Sequence, residues 1–278
     1  MRRRLTRIAT SLVLIVTLIL FAFPLYYLVV TSLKTRAELN LSTPTLIPRE
    51  PTLDAYFHVL FERGFSTLLV NSVIASLSAT VLALTVAFAI CYPITRLPVS
   101  PGLRSFTLNW ALSLRFLAPI AVVIPYFLIV KSLGIYNQLP ALILVYTIFS
   151  LPLSIWMLKG FLEEIPMEIE EAALVDGASR FRAFRSVLLP LARTGILAAG
   201  VVVLAFNWSE FLFAFILTAT PKAMTFPVGV QGLVTQFEII WNEMAAGGVI
   251  AILVPLALML VARRHVITGL TFGVIREK

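Results

Sequence analysis

Six long apolar runs constrain the fold of this chain more than any other feature of its sequence. Four of them contain no charged residue: 8–33, 64–95, 132–158 and 244–262. Two more, 105–130 and 194–221, are each interrupted by one charge, Arg115 and Glu210. A helix needs roughly 20 apolar residues to cross the hydrocarbon core of a bilayer, and each run is close to or above that length. The sequence therefore predicts an all-α integral membrane protein with six transmembrane helices.

The predicted elements follow from these runs. Helices are expected at about 8–31, 67–94, 105–130, 139–158, 195–217 and 244–262, with long loops at about 32–66 and 159–194. Residues 1–278 are interpreted as one transmembrane domain. Only 13% of the residues are charged, about half of the usual share in a soluble domain, so lipid must solvate much of the apolar surface. The first run exceeds the ~7–15 apolar residues of a secretory signal and no clear cleavage site follows, so we interpret it as a retained helix.

The distribution of basic residues predicts the orientation of the helices. Fifteen of the 22 Lys and Arg residues lie before the first helix, at 96–104, at 159–193 and from Arg263 onwards. Six lie in the opposite loops. Because basic residues are enriched in cytoplasmic loops, both termini and the 159–194 loop are expected in the cytoplasm, with the 32–66 loop outside.

Several classes of function are disfavoured by the residues that the sequence lacks. It contains no phosphate-binding G-x-x-x-x-G-K-[ST] loop, no H-E-x-x-H, no C-x-x-C and no nucleophile elbow. One cysteine, Cys91, excludes a disulfide framework and most metal sites. The formal charge of +8 does not indicate nucleic-acid binding, because the basic residues cluster at the ends of apolar runs. We therefore expect a conduit with no catalytic site and no cofactor of its own.

The 159–194 loop has the pattern of a helical hairpin. Good helix formers run from Met167 to Leu174, and Gly177 can end that helix in the left-handed conformation. Ser179 can cap a second helix that is expected to stop near Pro190. Such a hairpin could rest on lipid headgroups or dock into another protein, and the residues alone leave both interpretations open.

The same loop carries a specific resemblance. Its Glu171-Ala172-Ala173, Gly177 and Val187 to Pro190 resemble the EAA signature of the permease subunits of binding-protein-dependent ABC importers. The surrounding residues are similar to the carbohydrate branch of that family, the relatives of the maltose permease. Departures are Val187, where Ile is usual, and Thr194, where many members have Pro. The resemblance implies a type I ABC importer permease fold and makes these residues ATPase-coupling candidates: Glu170, Glu171, Ala172, Ala173, Asp176, Gly177, Ala178, Phe181, Leu189 and Pro190.

The two charges within apolar runs indicate a polar region inside the membrane. Exposing a charge to hydrocarbon costs several kcal/mol, so Arg115 and Glu210 are expected to face the bundle interior or a wet cavity. At a rise of ~1.5 Å per residue their depths differ by about 7 Å. We predict that Arg115 pairs with Glu210 or with carbonyls at helix ends. The alternative is a buried polar cluster that only holds helices together.

Three further stretches resemble the carbohydrate branch. The stretch from Asn207 to Phe211 is similar to its W-N-[ED]-[FL] run, although Ser209 replaces the Asn. The segments 52–56 and 269–273 are similar to its P/T-L-D-x-Y and G-L-T-x-G stretches. Together with the charge argument, this gives four substrate-path candidates: Arg115, Asn207, Trp208 and Glu210.

The resemblance also implies function and partners. It implies a multi-pass subunit of the prokaryotic plasma (inner) membrane that imports a sugar or a related polyol or glycoside. The expected partners are a second permease subunit in a heterodimer, two ATPase subunits that bind ATP and Mg, an extracytoplasmic solute-binding protein and membrane lipid, and no nucleic acid. The alternatives are an importer of a non-sugar solute and a secondary transporter, which would need more buried acids and an inverted repeat.

A stripe of small residues in the second predicted helix indicates close helix packing. Ala75, Ala79, Ala83, Ala87 and Cys91 recur every four residues, which lets a neighbouring helix approach closely in lipid. The stripe could form a seam within the bundle or across a pair of permeases, or reflect only an Ala-rich composition.

Overall fold

The computed structural model describes residues 2–41, 43–234 and 239–271, and side chains only within residues 10–260 except Leu258. Its helices are α1 Arg2–Ser32, α2 Arg36–Leu39, α3 Asp54–Phe57, α4 Phe65–Arg96, α5 Pro101–Arg115, α6 Pro119–Ser132, α7 Leu139–Glu164, α8 Met167–Val175, α9 Arg180–Ala183, α10 Leu189–Trp208, α11 Leu212–Leu217, α12 Phe226–Gln231 and α13 Trp241–Thr271. Two π-helical turns follow α3 and α9, at His58–Glu62 and Phe184–Leu188. Across the described residues the only strand-like pairing is an isolated bridge between Val234 and Ile239.

Four of the described helical segments are long and apolar enough to cross a membrane. They are Thr10–Ser32, Phe65–Arg96, Leu139–Glu164 and Arg180–Trp208. A fifth span exists if the bent pair of α5 and α6 is counted as one, and Trp241–Ala257 forms a shorter apolar helix. The predicted count of six spans therefore stays a prediction.

The third predicted helix is wrong as a continuous element. The chain breaks after Arg115 and resumes at Pro119, and the axes of α5 and α6 differ by 100°. Ala118 is extended, with ψ 130°, because a residue before proline avoids the helical region. Pro119 then occupies the first turn of α6, where its missing N–H leaves no hydrogen bond unmade.

The fifth predicted helix is wrong at its C-terminal end. It was expected to reach residue 217, but α10 ends at Trp208 and the short α11 begins at Leu212. The Glu210 carboxylate accepts hydrogen bonds from the backbone N–H groups of Phe213 at 2.9 Å and Ala214 at 3.2 Å. A local cap therefore starts a new helix where the apolar pattern alone predicted continuation.

The small-residue stripe on α4 is a seam within this chain. All five of its residues are fully buried. Ala75 and Ala79 belong to one core cluster with Leu142 and Tyr146, and Ala87 and Cys91 to a second. The helices α7 and α10 also approach closely, since a Cβ added at Gly195 would lie 2.5 Å from Cγ of Phe161.

The chain divides into two compact units, residues 1–66 with 229–253 and residues 67–228 with 254–278. In the first unit an ion cluster around a buried carboxylate joins three segments. The Glu243 carboxylate, whose side chain is 3% exposed, pairs with Arg36 at 2.6 Å and with Arg63. Glu243 lies in the first turn of α13, Arg36 begins α2, and Arg63 follows the first π-helical turn. The segment that was predicted as the external loop is thus held to the start of the last helix.

Candidate functional site

The hairpin between α7 and α10 is built from local capping interactions. The helix α8 begins after Pro166 and ends at Val175, Asp176 is its C-cap, and Gly177 has a left-handed φ of +86°. The Ala178 N–H donates to Ala173 O at 3.0 Å, and the Gly177 N–H donates to Leu174 O at 3.1 Å. These two bonds form the Schellman motif, which satisfies carbonyls that a helix end would leave without partners. The predicted helix–Gly–helix pattern is present.

The sequence predicts that the second helix of the hairpin stops near Pro190, and this prediction is wrong. It begins after Ser179, whose hydroxyl accepts a bond from the Arg182 N–H at 3.3 Å. It then passes through the π-helical turn into α10, so that Arg180–Trp208 is one membrane-length segment. The ring of a proline clashes with the carbonyl four residues before it, and the wider π-turn just ahead of Pro190 relieves that crowding.

The outer face of the hairpin is exposed and mixes apolar with acidic side chains. None of the residues of α8 is buried. Val175 is 87% exposed and Phe181, at the start of the second helix, is 69% exposed. The coupling candidates fall into two groups: Glu171, Ala172, Asp176, Gly177, Phe181, Leu189 and Pro190 are exposed, and Glu170, Ala173 and Ala178 are half-buried. Sequence reasoning missed Val175, because a single apolar residue at a helix end carries no periodic signal.

The inner face of the hairpin contacts the C-terminal end of α4. The Tyr92 hydroxyl donates to Glu170 Oε1 at 3.0 Å, and Arg96 Nε lies 3.9 Å from Glu170 Oε2. The buried Arg96 guanidinium also donates to Leu162 O at 2.5 Å and to Ile165 O at 2.8 Å. A cation at these last carbonyls of α7 is favoured by the helix dipole.

An aromatic cluster holds the second helix of the hairpin to the same end of α4. The Phe184 ring packs edge-on against Tyr92 at 5.1 Å and against Phe88 at 5.8 Å between ring centroids. Both helices of the hairpin therefore contact Tyr92, one through a hydrogen bond and one through an aromatic face. Sequence reasoning did not single out Tyr92, because its partners lie about 80–90 residues away.

The two helix breaks meet at a small cavity of about 100 Å³. Arg115, the last residue of α5, and Glu210, which caps α11, both line it, together with Tyr146, Phe149, Ser150, Leu153, Phe206 and Asn207. A cation at a helix C-terminus and an anion at a helix N-terminus both compensate the helix dipole. The two charges in the apolar runs thus mark the places where those helices break.

The predicted ion pair between Arg115 and Glu210 is not formed, although the structure describes both side chains. The Arg115 guanidinium lies over the ring of Phe206, 6.0 Å from its centroid. The prediction assumed that both helices were continuous. Because both predicted helices break here, Glu210 accepts its hydrogen bonds from the backbone of α11.

Asn207 and Trp208 lie on the buried side of α10. The Asn207 side chain accepts a hydrogen bond from Ser150 at 2.8 Å and donates to Thr80 Oγ1 at 3.0 Å, so it links α10 with α7 and α4. Trp208 is also buried, whereas Ser209 is exposed. Of the four path candidates, Arg115, Asn207 and Glu210 reach the small cavity, and Asn207 is also the junction of three helices.

The part of the chain that the structure describes contains no group of three or more His, Cys, Asp or Glu placed to hold a metal ion.

The predicted G-L-T-x-G stretch lies partly outside the described residues, since Phe272 and Gly273 are not described. The side chains of Arg2, Arg3, Arg4 and Arg7, at the start of α1, also lie outside the described part.

A model of one protein family matches residues 2–270 of this chain, and its description reads binding-protein-dependent transport system inner membrane component. The chain is 34% identical over 252 residues to the sulfoquinovosyl glycerol transport system permease protein SmoH of Agrobacterium fabrum, which covers 90% of this chain and 87% of that one. It is 36% identical over 233 residues to the trehalose transport system permease protein SugB of Mycobacterium tuberculosis, with 83% and 84% covered.

A solved structure shares the fold. It is a chain of a bacterial ABC transporter involved in the import of the acidic polysaccharide alginate, with a TM-score of 0.75. The match covers 94% of this chain and 96% of that chain at 19% identity.

Proposed function

The chain belongs to the family of binding-protein-dependent transport system inner membrane components, and on that premise we propose that it couples ATP hydrolysis on separate subunits to the import of a sugar. It is a permease subunit of an ABC importer. The observation that carries the coupling proposal is the hairpin, whose outer face exposes Val175 and Phe181 while its inner face is fastened to the membrane helices. The exposure of these two large apolar side chains beside the residues that resemble the EAA signature supports a surface for a partner.

The proposed contact places α8 in a groove of an ATPase subunit. A helix bound in a groove contributes apolar anchors along one face and charges at its rim. Val175 and Phe181 supply the anchors, and Glu171 and Asp176 supply the rim. Gly177 allows the turn that brings the two helices of the hairpin together. The ATPase subunits would bind ATP and Mg, and this chain would hold neither.

A sugar or related glycoside is the proposed cargo. Its support is the set of relatives with sugar names, which includes the permeases for sulfoquinovosyl glycerol and trehalose and a diacetylchitobiose uptake permease of Streptomyces coelicolor. Arg115 and Glu210, with Asn207 and Trp208 behind them, are proposed to border the path where the two broken helices meet. Irregular backbone inside a membrane is tolerated where it lines a cavity.

The proposed assembly has two permease subunits, two ATPase subunits and an extracytoplasmic binding protein in the inner membrane. The basic-residue bias supports cytoplasmic termini and a cytoplasmic hairpin. Rigid-body motion of the helix bundles would then open the path to each side in turn.

Purification and transport together test this proposal. The tagged chain, solubilised from its native membrane in mild detergent, should retain a second permease and two ATPase subunits. Vesicles with the assembly should take up one of radiolabelled trehalose, maltose or diacetylchitobiose with ATP. A double variant with Glu171→Lys and Gly177→Val should insert normally and lose uptake. Retained ATPase with uptake of amino acids and no sugar would favour the non-sugar importer, and normal uptake by the double variant would exclude the coupling role.

A further inference from the structure

We propose that α4 is the lever that carries motion of the hairpin to the helix break at Ser209–Phe211, with Tyr92 and Thr80 as positioning residues at its two ends. The inference rests on the proposed coupling role of the hairpin. It adds the route through which that role would reach the membrane interior.

The cytoplasmic end of the lever is Tyr92. Its hydroxyl bonds Glu170 of α8 at 3.0 Å, and its ring packs against Phe184 at 5.1 Å between centroids. A push on either helix of the hairpin therefore acts directly on Tyr92. A hydrogen bond to a carboxylate is among the stronger ones in proteins, so this contact should hold Tyr92 to α8 when the hairpin moves.

The membrane end of the lever is Thr80. Its hydroxyl accepts a bond from the Asn207 amide at 3.0 Å and itself donates to Ser76 O at 2.7 Å within α4. Asn207 is the last residue but one of α10, and the helix break starts at Ser209. A displacement of Thr80 therefore moves the residue next to the break.

The segment between the two ends is stiff and supported along its length. Tyr92 lies twelve residues after Thr80, which is about 18 Å along a helix. The sequence between them has no glycine and no proline. Ala83, Ala87 and Cys91 on the inner side are fully buried, and Cys91 Sγ donates to Ile155 O at 3.3 Å. Close packing on one face makes the segment move as a unit, because packed interiors transmit strain.

The two contacts can be removed with little change of volume. Tyr92→Phe deletes the hydroxyl that binds Glu170, and Thr80→Val deletes the hydroxyl that binds Asn207. Thr85→Val is the matched control, because among the described residues the Thr85 hydroxyl bonds only Val81 O of its own helix, at 2.7 Å. Arg96 is left unchanged, since it also caps the end of α7.

The test measures the break directly in the assembled transporter. Spin labels are placed at Ser113→Cys and Ser209→Cys, exposed residues beside the two helix breaks, and the native Cys91 stays because it is buried. The distance between labels is recorded by pulsed electron resonance without nucleotide and with MgATP trapped by vanadate. In the otherwise native chain and in Thr85→Val we expect a shift of about 2–5 Å, the scale of helix movements in such switches.

In Tyr92→Phe and in Thr80→Val the shift should fall below half of that in Thr85→Val, while the ATPase subunits copurify as before. A shift in either variant equal to that of the control would overturn the lever, and so would the absence of any shift in the otherwise native chain. Loss of the ATPase subunits from the native chain is a different result, since it contradicts the proposed coupling function itself. If the two hydroxyls only stabilise the fold, their removal would lower the melting temperature and leave the change in the distance between the labels unaltered.

Discussion

Two neighbouring glutamates on α8 have different surroundings because they are one helical step apart. Successive residues of a helix point about 100° apart. Glu170 is half-buried and accepts the Tyr92 hydroxyl, whereas Glu171 is exposed. Glu171 begins the stretch that resembles the EAA signature, Glu170 directly precedes it, and the sequence predicts a coupling role for both. The structure separates them, because the partner of Glu170 is 78 residues away in the chain.

Gly177 is the residue whose backbone conformation most limits substitution in the hairpin. Its φ is +86°, and a Cβ there would meet no atom within 4 Å, so only the conformation resists Gly177→Ala. Left-handed backbone costs a residue with a Cβ about 1–2 kcal/mol. In the Gly177→Ala variant, amide hydrogen exchange at positions 177 and 178 should therefore be roughly tenfold faster than in the parent.

Gly160 provides the control for that prediction. It lies within α7 and also has open space around its Cβ position, but its φ is not left-handed. Gly160→Ala should therefore stabilise α7 by up to about 1 kcal/mol, since alanine favours a helix. Exchange that slows in both variants would contradict the account of the Gly177 cap.

Glu38 should make the stability of the first unit depend on pH. The Thr45 hydroxyl at 2.5 Å is the main cause that lowers the pKa of this carboxyl, and the Arg49 backbone N–H at 3.0 Å lowers it further, against the effect of burial. The folded state therefore favours the carboxylate, so its stabilisation is complete above the ordinary glutamate pKa near 4.5 and is lost as pH falls through the lowered pKa. The melting temperatures of the parent and Glu38→Gln should differ at pH 7 and converge as pH falls through the lowered pKa of Glu38. An equal difference in melting temperature at high and low pH would contradict this prediction. The control is Glu50→Gln, because Glu50 is an exposed residue of the same segment.

At the scale of elements, the sequence predicted where helices exist better than where they break. Long apolar runs produce helices because lipid leaves no other partner for the backbone. The break before Pro119 had a local signal, since Ala118 precedes a proline. The break at Ser209 contains neither proline nor glycine, and its cause is the Glu210 cap, which apolar periodicity cannot show.

The ion cluster of Glu243 should stabilise the first unit more than an exposed cluster of the same composition. The double variant Arg36→Ala, Arg63→Ala leaves a buried carboxylate without a cation and should cost about 1–3 kcal/mol in the free energy of unfolding. Adding Glu243→Gln should recover part of that loss. Chemical or thermal unfolding in detergent measures both changes.

Glu163 is the matched control for this cluster. It also pairs with two basic side chains, Arg104 at 2.7 Å and Lys159 at 2.6 Å, but its side chain is 37% exposed. Arg104→Ala with Lys159→Ala should cost less than about 1 kcal/mol, because water screens exposed pairs. Equal losses in the two double variants would show that burial does not set the strength of the Glu243 cluster.

At the scale of the whole molecule, the predicted membrane-permease fold is confirmed, and the orientation stays a prediction. Cysteines at Asp54 and Lys222 should react with an impermeant maleimide from outside intact cells, and cysteines at Pro98 and Glu168 should react only after the membrane is opened. All four native residues are exposed. Labelling of Glu168→Cys from outside would contradict the predicted topology, because the hairpin would then lie on the side opposite to the ATPase subunits.

The sequence could identify the hairpin and the two intramembrane charges, but not how they connect. The hairpin was predictable because its signals are local, from the helix formers of α8 to Gly177. The contacts of Tyr92, Arg96 and Asn207 join segments 57 to 127 residues apart, and no local pattern encodes such pairs. Arg115 lines the cavity beside Glu210 without forming the predicted ion pair, because its depth was estimated on unbroken helices.

Cross-linking from Val175 tests the central claim most directly. Val175→Cys, treated with a short bifunctional reagent in native membranes, should link this chain to an ATPase subunit, because the side chain is 87% exposed on the outer face of the hairpin. Ile47→Cys, 73% exposed in the segment predicted to be external, is the control and should form no such link. An ATPase adduct at Val175 and none at Ile47 is the predicted result. No ATPase adduct at Val175, in an assembly that still contains the ATPase subunits, would contradict the account.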